Sequence, residues 1–472
     1  MRRTKIIATL GPASNNEEVL SAMIDAGVDV VRLNFSHGSH ESHINRANMV
    51  RKIAAIKNKT VGILVDLQGP KIRITKFKKG QVNLIAGDYF TLNGDLPVDD
   101  GDEKQVGHSF KTLSENIQKD NTIVLDDGRV VLKVIEVIGN KIKCIVTIGG
   151  ELSDNKGLNK KGGGLKADAL SAKDKEDMKI AAQINADFVA VSFVRDASDI
   201  KTTRKILKKL DCYACIVAKI ERSEALDNID EIMQATDIIM IARGDLGVEI
   251  GDAELPSVQK RLIHKARCFN KVAITATQMM ESMIHNPIPT RAEVFDVANA
   301  VLDGTDAVML SGETAVGCNP ARVIAAMSSI CKKAENQPKV TKSDHRIGSK
   351  FNQIDETIAL SAMYAANHLG VAAIVALTES GTTALWMSRI SSGRPIYALS
   401  HHRQTRRRVT LYRGVYPVDF PCDSINTFEA NEKAVEIIKD AGIVEDGDKI
   451  IVTKGDLFGT QGGTNVMKIL TI

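Results

Sequence analysis

Lys219 and Glu221 stand two residues apart at the end of the apolar run IVAKIE (Ile216–Glu221), and Asp245 closes the next such run, IIMIARGD (Ile238–Asp245). Alternate residues of a strand project to the same side, so this ammonium and this carboxylate share one face. Two carboxylates from neighbouring strands, with few other ligands, suit Mg²⁺, which binds through one or two carboxylates together with substrate phosphates. Lys219 is then a fixed positive charge beside the metal. Thr277, near the end of VAITATQ (Val272–Gln278), brings a hydroxyl to the same level, and AVMLSGET (Ala307–Thr314) adds Ser311. A structural salt bridge explains any one of these charges. It does not explain the set, because unpaired charges gathered at strand ends are costly. Upstream, RLNFSHG (Arg32–Gly38) alternates Arg32, Asn34 and Ser36 on one side. Arg32 offers a planar fork for phosphate, and Asn34 and Ser36 offer oxygens for a cation. Ser36 also reads as the opening of the following helix.

The elements that position these residues follow from their spacing. Lys219, Arg243, Thr277 and Ser311 are 24, 34 and 34 positions apart, about one strand, one helix and two loops per step. Continuous apolar runs of this length read as buried parallel strands. Four more precede them: KIIATLGP (Lys5–Pro12), VDVVRLNFSHG (Val28–Gly38), VGILVDLQGP (Val61–Pro70) and FVAVSFVR (Phe188–Arg195). Eight such strands predict an α/β fold built on a (β/α)8 TIM barrel, with its site where the strands end. The interval between the third and fourth runs exceeds 120 residues, far beyond a barrel loop. Its short strands, broken by Gly, Asp and Asn, predict an inserted small β-barrel domain over the mouth as a lid. Beyond Gly317, the helix Pro320–Glu335 and a polar linker lead into alternating helices and strands, an open α/β domain. The expected division is 1–69 with 168–343 for the barrel, 70–167 for the lid, and 344–472 for the C-terminal domain.

Composition excludes several classes. A net charge of +4 on 472 residues gives no reason to expect nucleic acid. No apolar stretch approaches the roughly 18 residues of a membrane span, and the opening run stops at Gly11-Pro12, too short for a secretory h-region. Seven scattered cysteines imply a reducing compartment, so the expected location is cytoplasmic. Cys212 and Cys215 form a lone CxxC with no second pair and no histidine cluster, which does not make a zinc site. NKGLNKKGGGLK (Asn155–Lys166) lacks the Gly-Lys-Ser/Thr of a Walker loop, and a hinge explains its glycines equally well. TESGTT (Thr378–Thr383) and KGDLFGTQGGTN (Lys454–Asn465) place hydroxyls and backbone N–H groups at helix starts, an anion nest. HHRQTRRR (His401–Arg408) reads first as a solvated helix face, with a phosphate-ligand or interface role as the second reading.

RLNFSHG, DLQGPKIR, AKIE, ARGDLGVE, TATQMMESM, PTRAEVFDVANAV and LDGTDAVMLSGETA together resemble pyruvate kinase, in wording closest to bacterial members activated by AMP or sugar monophosphates. The resemblance runs from Arg2 to the C-terminus. It implies phosphoryl transfer from phosphoenolpyruvate to ADP, giving pyruvate and ATP, with Mg²⁺ (or Mn²⁺) as cofactor, in a homotetramer. It further implies that Lys219 stabilises the transferring phosphoryl group, and that Glu221 and Asp245 hold the metal. Arg32, Lys219, Gly244, Asp245 and Thr277 would contact substrate. Asn34, Phe35, Ser36, His37, Arg73 and Lys156 would contact nucleotide, and Thr378, Ser380, Gly381, Thr382 and Thr383 an effector phosphate. Ser311 becomes part of a strand-and-turn signature. One segment departs from the family pattern: where potassium-dependent members read Asp-Thr-Lys-Gly-Pro-Glu, this chain reads Asp66-Leu67-Gln68-Gly69-Pro70-Lys71. Asn34, Ser36 and Asp66 hold the monovalent-cation positions, and the Lys71 ammonium is expected to serve there in place of K⁺. The competing readings are a Mg²⁺-dependent pyruvate-enolate lyase or aldolase on the same barrel, and a non-catalytic phosphometabolite sensor.

Overall fold

The computed structural model describes residues 1–165, 170–341, 348, 350–351, 353–421, 429–456 and 462–472. Lys166, the 457–461 part of the glycine-rich loop, and the expected domain bounds at 167/168 and 343/344 therefore lie outside the described residues.

Eight parallel strands close into a barrel: Lys5–Leu10, Val30–Asn34, Gly62–Asp66, Phe188–Val191, Cys215–Ile220, Ile238–Ala242, Val272–Ala276 and Ala307–Leu310. Each matches an apolar run read from the sequence. The alternation within them sorts the core. Ile6, Ala8, Val31, Leu33, Ile63, Val65, Ala218 and Ile220 pack outward against the helices. Ile7, Val30, Leu64, Phe188, Ala190, Val217, Met240 and Ile274 fill the interior. Following the interior positions two residues at a time toward the C-terminal ends takes Ile7 to Thr9, Val30 to Arg32 and Asn34, Leu64 to Asp66, Ala190 to Ser192, and Val217 to Lys219 and Glu221. The interior series is apolar along the middle of the barrel and ionic at its mouth.

Between Asp66 and Phe188 the chain leaves the barrel and forms two antiparallel-rich sheets. One has six strands, the other pairs Gln81–Leu84 with Gly150–Ser153. Both enclose one apolar core that includes Ile74, Leu84, Phe90, Ile123, Leu132 and Leu152.

The C-terminal domain is a five-stranded sheet in the order Val415–Asp419, Ile396–Ser400, Ala373–Leu377, Lys449–Gly455, Thr464–Thr471, parallel except for the last. The first of these strands is absent from the sequence reading, because VYPVD is short and carries Pro417. Proline is tolerated there because the strand is at the sheet edge. This domain seals the base of the barrel: Ala359, Met363, Ile374, Met387 and Leu411 belong to the same core cluster as the barrel interior. Arg389 and Asp306, 1% and 2% exposed, form a bidentate pair across that junction.

The basic run His401–Arg408 is corrected here. Its helix, Arg403–Arg408, lies half-buried against the barrel base, with Arg407 near Arg51 and Asp187 and Arg408 beside Cys215. A solvated face read from charge alone is an interdomain contact in three dimensions. The CxxC cysteines are buried and free, and burial pushes the Cys215 thiol up to about 12. Among the described residues, no helix is long and apolar enough to cross a membrane.

Candidate active site

Lys219 is the hub of the barrel mouth. Its Nζ donates to Ser192 Oγ at 2.7 Å and lies 2.8 Å from Glu221 Oε1 and 3.4 Å from Asp66 Oδ1. Arg32 binds the other oxygen of Asp66 at 2.7 Å and donates to Thr9 Oγ1 at 3.0 Å. Glu221 Oε2 accepts the backbone N–H of Phe193 at 2.7 Å. Burial works against the charge on Lys219, but Asp66 and Glu221 overcome it and raise its pKa well above the ordinary lysine value. Burial likewise opposes ionisation of Asp66, and Lys219 with Arg32 hold that carboxyl below its usual range.

Thr277 sits where the backbone is strained. It has φ +68° and Gln278 has φ +52°, a left-handed conformation that is a genuine outlier for a β-branched residue. Arg243 secures the turn by donating to the carbonyls of Ala276, Thr277 and Gln278 and pairing with Asp296 at 2.7 Å. The strain aims the Thr277 hydroxyl inward, where it accepts the N–H of Gly244 at 2.8 Å. Asp245 follows in the first turn of the helix Arg243–Ile250. Gly244, Asp245 and Thr277 line a cleft of about 710 Å³ between lid and barrel, with Lys71, Asp127, Lys161, Ser311 and Glu313.

The donor set fits a divalent metal. Glu221 is buried, and that burial, together with the charge of Asp245, raises its pKa against the pull of Lys219. Two carboxylates that disfavour each other's charge are relieved by a cation between them. Counted by contact, the mouth holds three cationic groups, Arg32, Lys71 and Lys219, and three carboxylates, Asp66, Glu221 and Asp245. Such a balanced site admits a divalent metal most readily together with a phosphate of about two negative charges.

Other sequence-derived positions fall differently. The Lys71 ammonium is 3.2 Å from Asp245 Oδ1. Asp66 is already neutralised by Arg32 and Lys219, whereas Asp245 offers an unmet charge. Asp66 Oδ1 is buried without a hydrogen bond, and Asn34 Oδ1 accepts the N–H of Ser36 at 3.1 Å. The Phe35 ring is turned inward, 1% exposed and stacked on His43 at 4.2 Å, its N–H donates to the Asp66 carbonyl at 3.0 Å, and its carbonyl accepts from Lys173 Nζ at 2.6 Å. His37 is exposed. Arg73 and Lys156 stand on the lid, where Arg73 donates to the Asn155 carbonyl at 2.8 Å and Lys156 pairs with Asp126 at 2.9 Å. The effector candidates lie beyond the opposite end of the barrel. Gly381, at φ +84°, donates its N–H to Thr378 Oγ1 at 3.0 Å, Ser380 and Thr382 share a 2.7 Å hydrogen bond, and Thr383 meets Thr464 at 2.6 Å. Sequence reading missed Thr9 and Ser192. Each continues an interior-facing series by two residues, which was the available signal.

The lid's second hinge docks on the barrel. Gly162 donates to the Glu249 carbonyl at 3.2 Å, Gly164 to Glu224 Oε1 at 2.5 Å, and Arg222 to the Leu165 carbonyl at 2.7 Å. Beneath it, Glu249 accepts from the N–H and hydroxyl of Ser223 at 2.7 and 3.2 Å. Burial pushes the Glu249 carboxyl up to about 7. A carboxyl raised on folding binds protons more tightly in the native state, so its stabilising contribution is complete below its ordinary value of 4.5 and is lost as pH rises through 7. Glu249→Gln removes that dependence. The difference in melting temperature, variant minus wild type, is expected to grow from about pH 5 to about pH 8, equivalent to up to about 3 kcal/mol. A difference constant with pH would show Glu249 ionised throughout.

Fold and site together define an α/β-barrel protein with an ionic mouth beneath an inserted β domain, whose donor set fits a divalent metal. Comparison with known proteins makes this particular. The family described as "Pyruvate kinase, barrel domain" matches residues 1–324, and "Pyruvate kinase, alpha/beta domain" matches residues 356–470. The chain is 53% identical to pyruvate kinase II of Salmonella typhimurium, covering 100% of this chain and 99% of that one. It is 52% identical to a pyruvate kinase of Haemophilus influenzae over the same shares. A pyruvate kinase of Clostridium perfringens is 40% identical over 99% of each chain. The chain belongs to the pyruvate kinase family, and it is an enzyme of that activity, which passes a phosphoryl group from phosphoenolpyruvate to ADP.

Proposed function

We propose that the phosphoryl group is transferred at the Lys219 cluster, with Glu221 and Asp245 holding Mg²⁺. The observation that carries this reading is the Lys219 ammonium, fixed by Ser192, Glu221 and Asp66 at the C-terminal ends of the barrel strands. The transition state of phosphoryl transfer is loose and spreads charge over the equatorial oxygens, so positioned cations are the main catalytic demand. Lys219 and Arg32 meet it from the barrel. Mg²⁺ held by Glu221 and Asp245 would supply further positive charge to the transferring phosphate. Asn34, Phe35, Ser36 and His37 form the barrel side of the proposed nucleotide site, and Arg73 and Lys156 its lid side. Lid closure excludes the water that would otherwise hydrolyse the phosphoryl group. Thr277 contacts substrate and orders the hydroxyl or water chain that protonates the enolate, since its own pKa is too high to make it the final acid. The lyase and sensor alternatives leave Arg73, Lys156 and the lid without work. The assay is ATP formation from phosphoenolpyruvate and ADP, which Glu221→Gln and Asp245→Asn are expected to abolish in Mg²⁺. Wild-type rates in either variant would remove them from the metal site.

The reading extends to K⁺. Lys71, paired with Asp245, adds a permanent positive charge to the mouth at the position where potassium-dependent relatives carry an acid, and we infer that K⁺ is not required. At constant ionic strength in a potassium-free and sodium-free assay, added KCl is expected to leave the rate unchanged. Many-fold activation would instead assign K⁺ to the open Asp66 Oδ1 with Asn34 and Ser36.

The Thr378–Thr383 loop is the proposed seat of a phosphorylated activator in a homotetramer acting in the cytoplasm. AMP or a sugar monophosphate is favoured over fructose 1,6-bisphosphate, because the sequence KGDLFGTQGGTN shows no partner for a second phosphate. A coupled assay is expected to show activation by AMP or ribose 5-phosphate. Activation by fructose 1,6-bisphosphate alone would overturn this choice.

A further inference from the structure

Two loops of the C-terminal domain leave the carboxyl ends of adjacent parallel strands, Ala373–Leu377 and Ile396–Ser400. In an open α/β sheet such strand ends form the crevice where ligands bind. The first loop carries Glu379 and the second His401 and His402, and their side chains converge. Glu379 Oε2 lies 2.9 Å from His402 Nε2 and 3.8 Å from His401 Nδ1. The three ligand atoms all fall within 4.8 Å of one another, and the imidazole centroids are 3.7 Å apart.

We propose that Glu379, His401 and His402 form a binding site for a borderline divalent transition metal of the Zn²⁺ class, separate from the Mg²⁺ centre of the barrel. Tetrahedral Zn²⁺ with bonds of about 2.0–2.1 Å requires ligand atoms about 3.3 Å apart, a spacing these three atoms bracket. Two imidazoles with one carboxylate suit zinc, copper or nickel, whereas Mg²⁺ prefers an all-oxygen octahedron. The backbone behind the ligands is braced. Thr405 Oγ1 donates to the Glu379 carbonyl at 2.5 Å, and Arg406 donates to the carbonyls of Ser400 and His401 at 2.7 and 3.2 Å. Side-chain exposures of 14%, 32% and 51% for Glu379, His401 and His402 keep the fourth position open to solvent. Glu379 sits between Thr378 and Ser380, so a bound metal ties the Thr378–Thr383 loop to the loop after Ser400.

The test is equilibrium dialysis of untagged full-length protein against Zn²⁺, with excess Mg²⁺ and phosphoenolpyruvate occupying the barrel site. Wild type is expected to bind one Zn²⁺ per chain. Glu379→Gln and His402→Ala are expected to lose it, or to weaken it by at least the roughly 10–100-fold that loss of an outer-shell partner costs. Cys268→Ala keeps it, which rules out the other exposed soft pair, Cys268 and His264 at 3.8 Å. Co²⁺ gives an independent readout, with visible d–d absorption in wild type and none in Glu379→Gln, whose near-isosteric side chain preserves the fold. Failure of wild type to bind Zn²⁺, or unchanged affinity in both ligand variants, would overturn the site and leave a plain His402–Glu379 ion pair.

Discussion

Lys219→Ala is expected to lower kcat by about three orders of magnitude or more while KM for phosphoenolpyruvate changes only several-fold. A cation supplied to a transferring phosphoryl group is worth roughly 10³–10⁵ in rate, because its contact strengthens as charge spreads over the equatorial oxygens. Little of that contact exists in the ground state, so binding suffers less than turnover. The variant also uncovers Glu221 and Asp66, both nearly fully buried on their side chains. With the ammonium gone, Glu221 keeps only the Phe193 N–H against the charge of Asp245, and its carboxyl moves further up. The residual activity is therefore expected to depend more steeply on pH than that of the wild type, rising as pH rises. Lys219→Arg keeps the charge without restoring the rate, since a planar fork cannot fill the niche between Ser192 and Glu221. A steady-state coupled assay across pH checks all three outcomes. A kcat within tenfold of wild type for Lys219→Ala would reduce Lys219 to a structural counter-ion.

The second large effect is on stability. Asp306 accepts from the guanidinium of Arg389 in bidentate fashion, from the N–H of Ala273 at 2.9 Å and from the N–H of Arg413 at 3.3 Å. Both charges lie in the seam where the C-terminal domain covers the barrel base. Removing one partner of such a pair leaves a buried charge uncompensated, at a cost of about 3–5 kcal/mol, whereas replacing both by apolar groups is often neutral. Asp306→Ala is expected to destabilise by that amount, and the double variant Asp306→Leu with Arg389→Met to recover most of the loss. The sequence contains a single tryptophan, Trp386, on the helix Thr382–Ser388 of the same domain. Its fluorescence in a urea titration reports the affected unit directly. A shift below about 1 kcal/mol for Asp306→Ala would mean that water reaches the pair.

Much of this could be read before any coordinates. The eight barrel strands were visible as apolar runs because both faces of a parallel barrel strand are buried, which leaves no polar alternation to confuse them. The ionic mouth was visible because Lys219, Glu221 and Asp245 interrupt those runs at their ends. Thr9 and Ser192 were overlooked, although the same two-residue step that leads from Val217 to Lys219 leads to each of them. What the sequence could not give was pairing across distance. Lys71 had several carboxylates within its reach, and only the fold shows that Arg32 and Lys219 had already neutralised Asp66. The run Arg406–Arg408 looked solvated because its partners, Asp187, Cys215 and Asp419, come from other strands and another domain. The left-handed backbone at Thr277 left no local mark either, since a threonine gives no hint of φ +68°. The turn is imposed by Arg243, whose charge in the sequence suggested chemistry and whose bonds in the structure go largely to backbone carbonyls.

The placement of the phosphoryl-transfer centre is tested most directly by Mn²⁺ binding, followed through the electron paramagnetic resonance of the free ion, in wild type, Glu221→Gln, Asp245→Asn and Glu379→Gln. One tight Mn²⁺ per chain is expected in wild type, lost in both Glu221→Gln and Asp245→Asn and retained in Glu379→Gln. Wild-type Mn²⁺ stoichiometry and affinity in Glu221→Gln and Asp245→Asn would contradict the assignment and move the metal, and with it the chemistry, away from the Lys219 cluster.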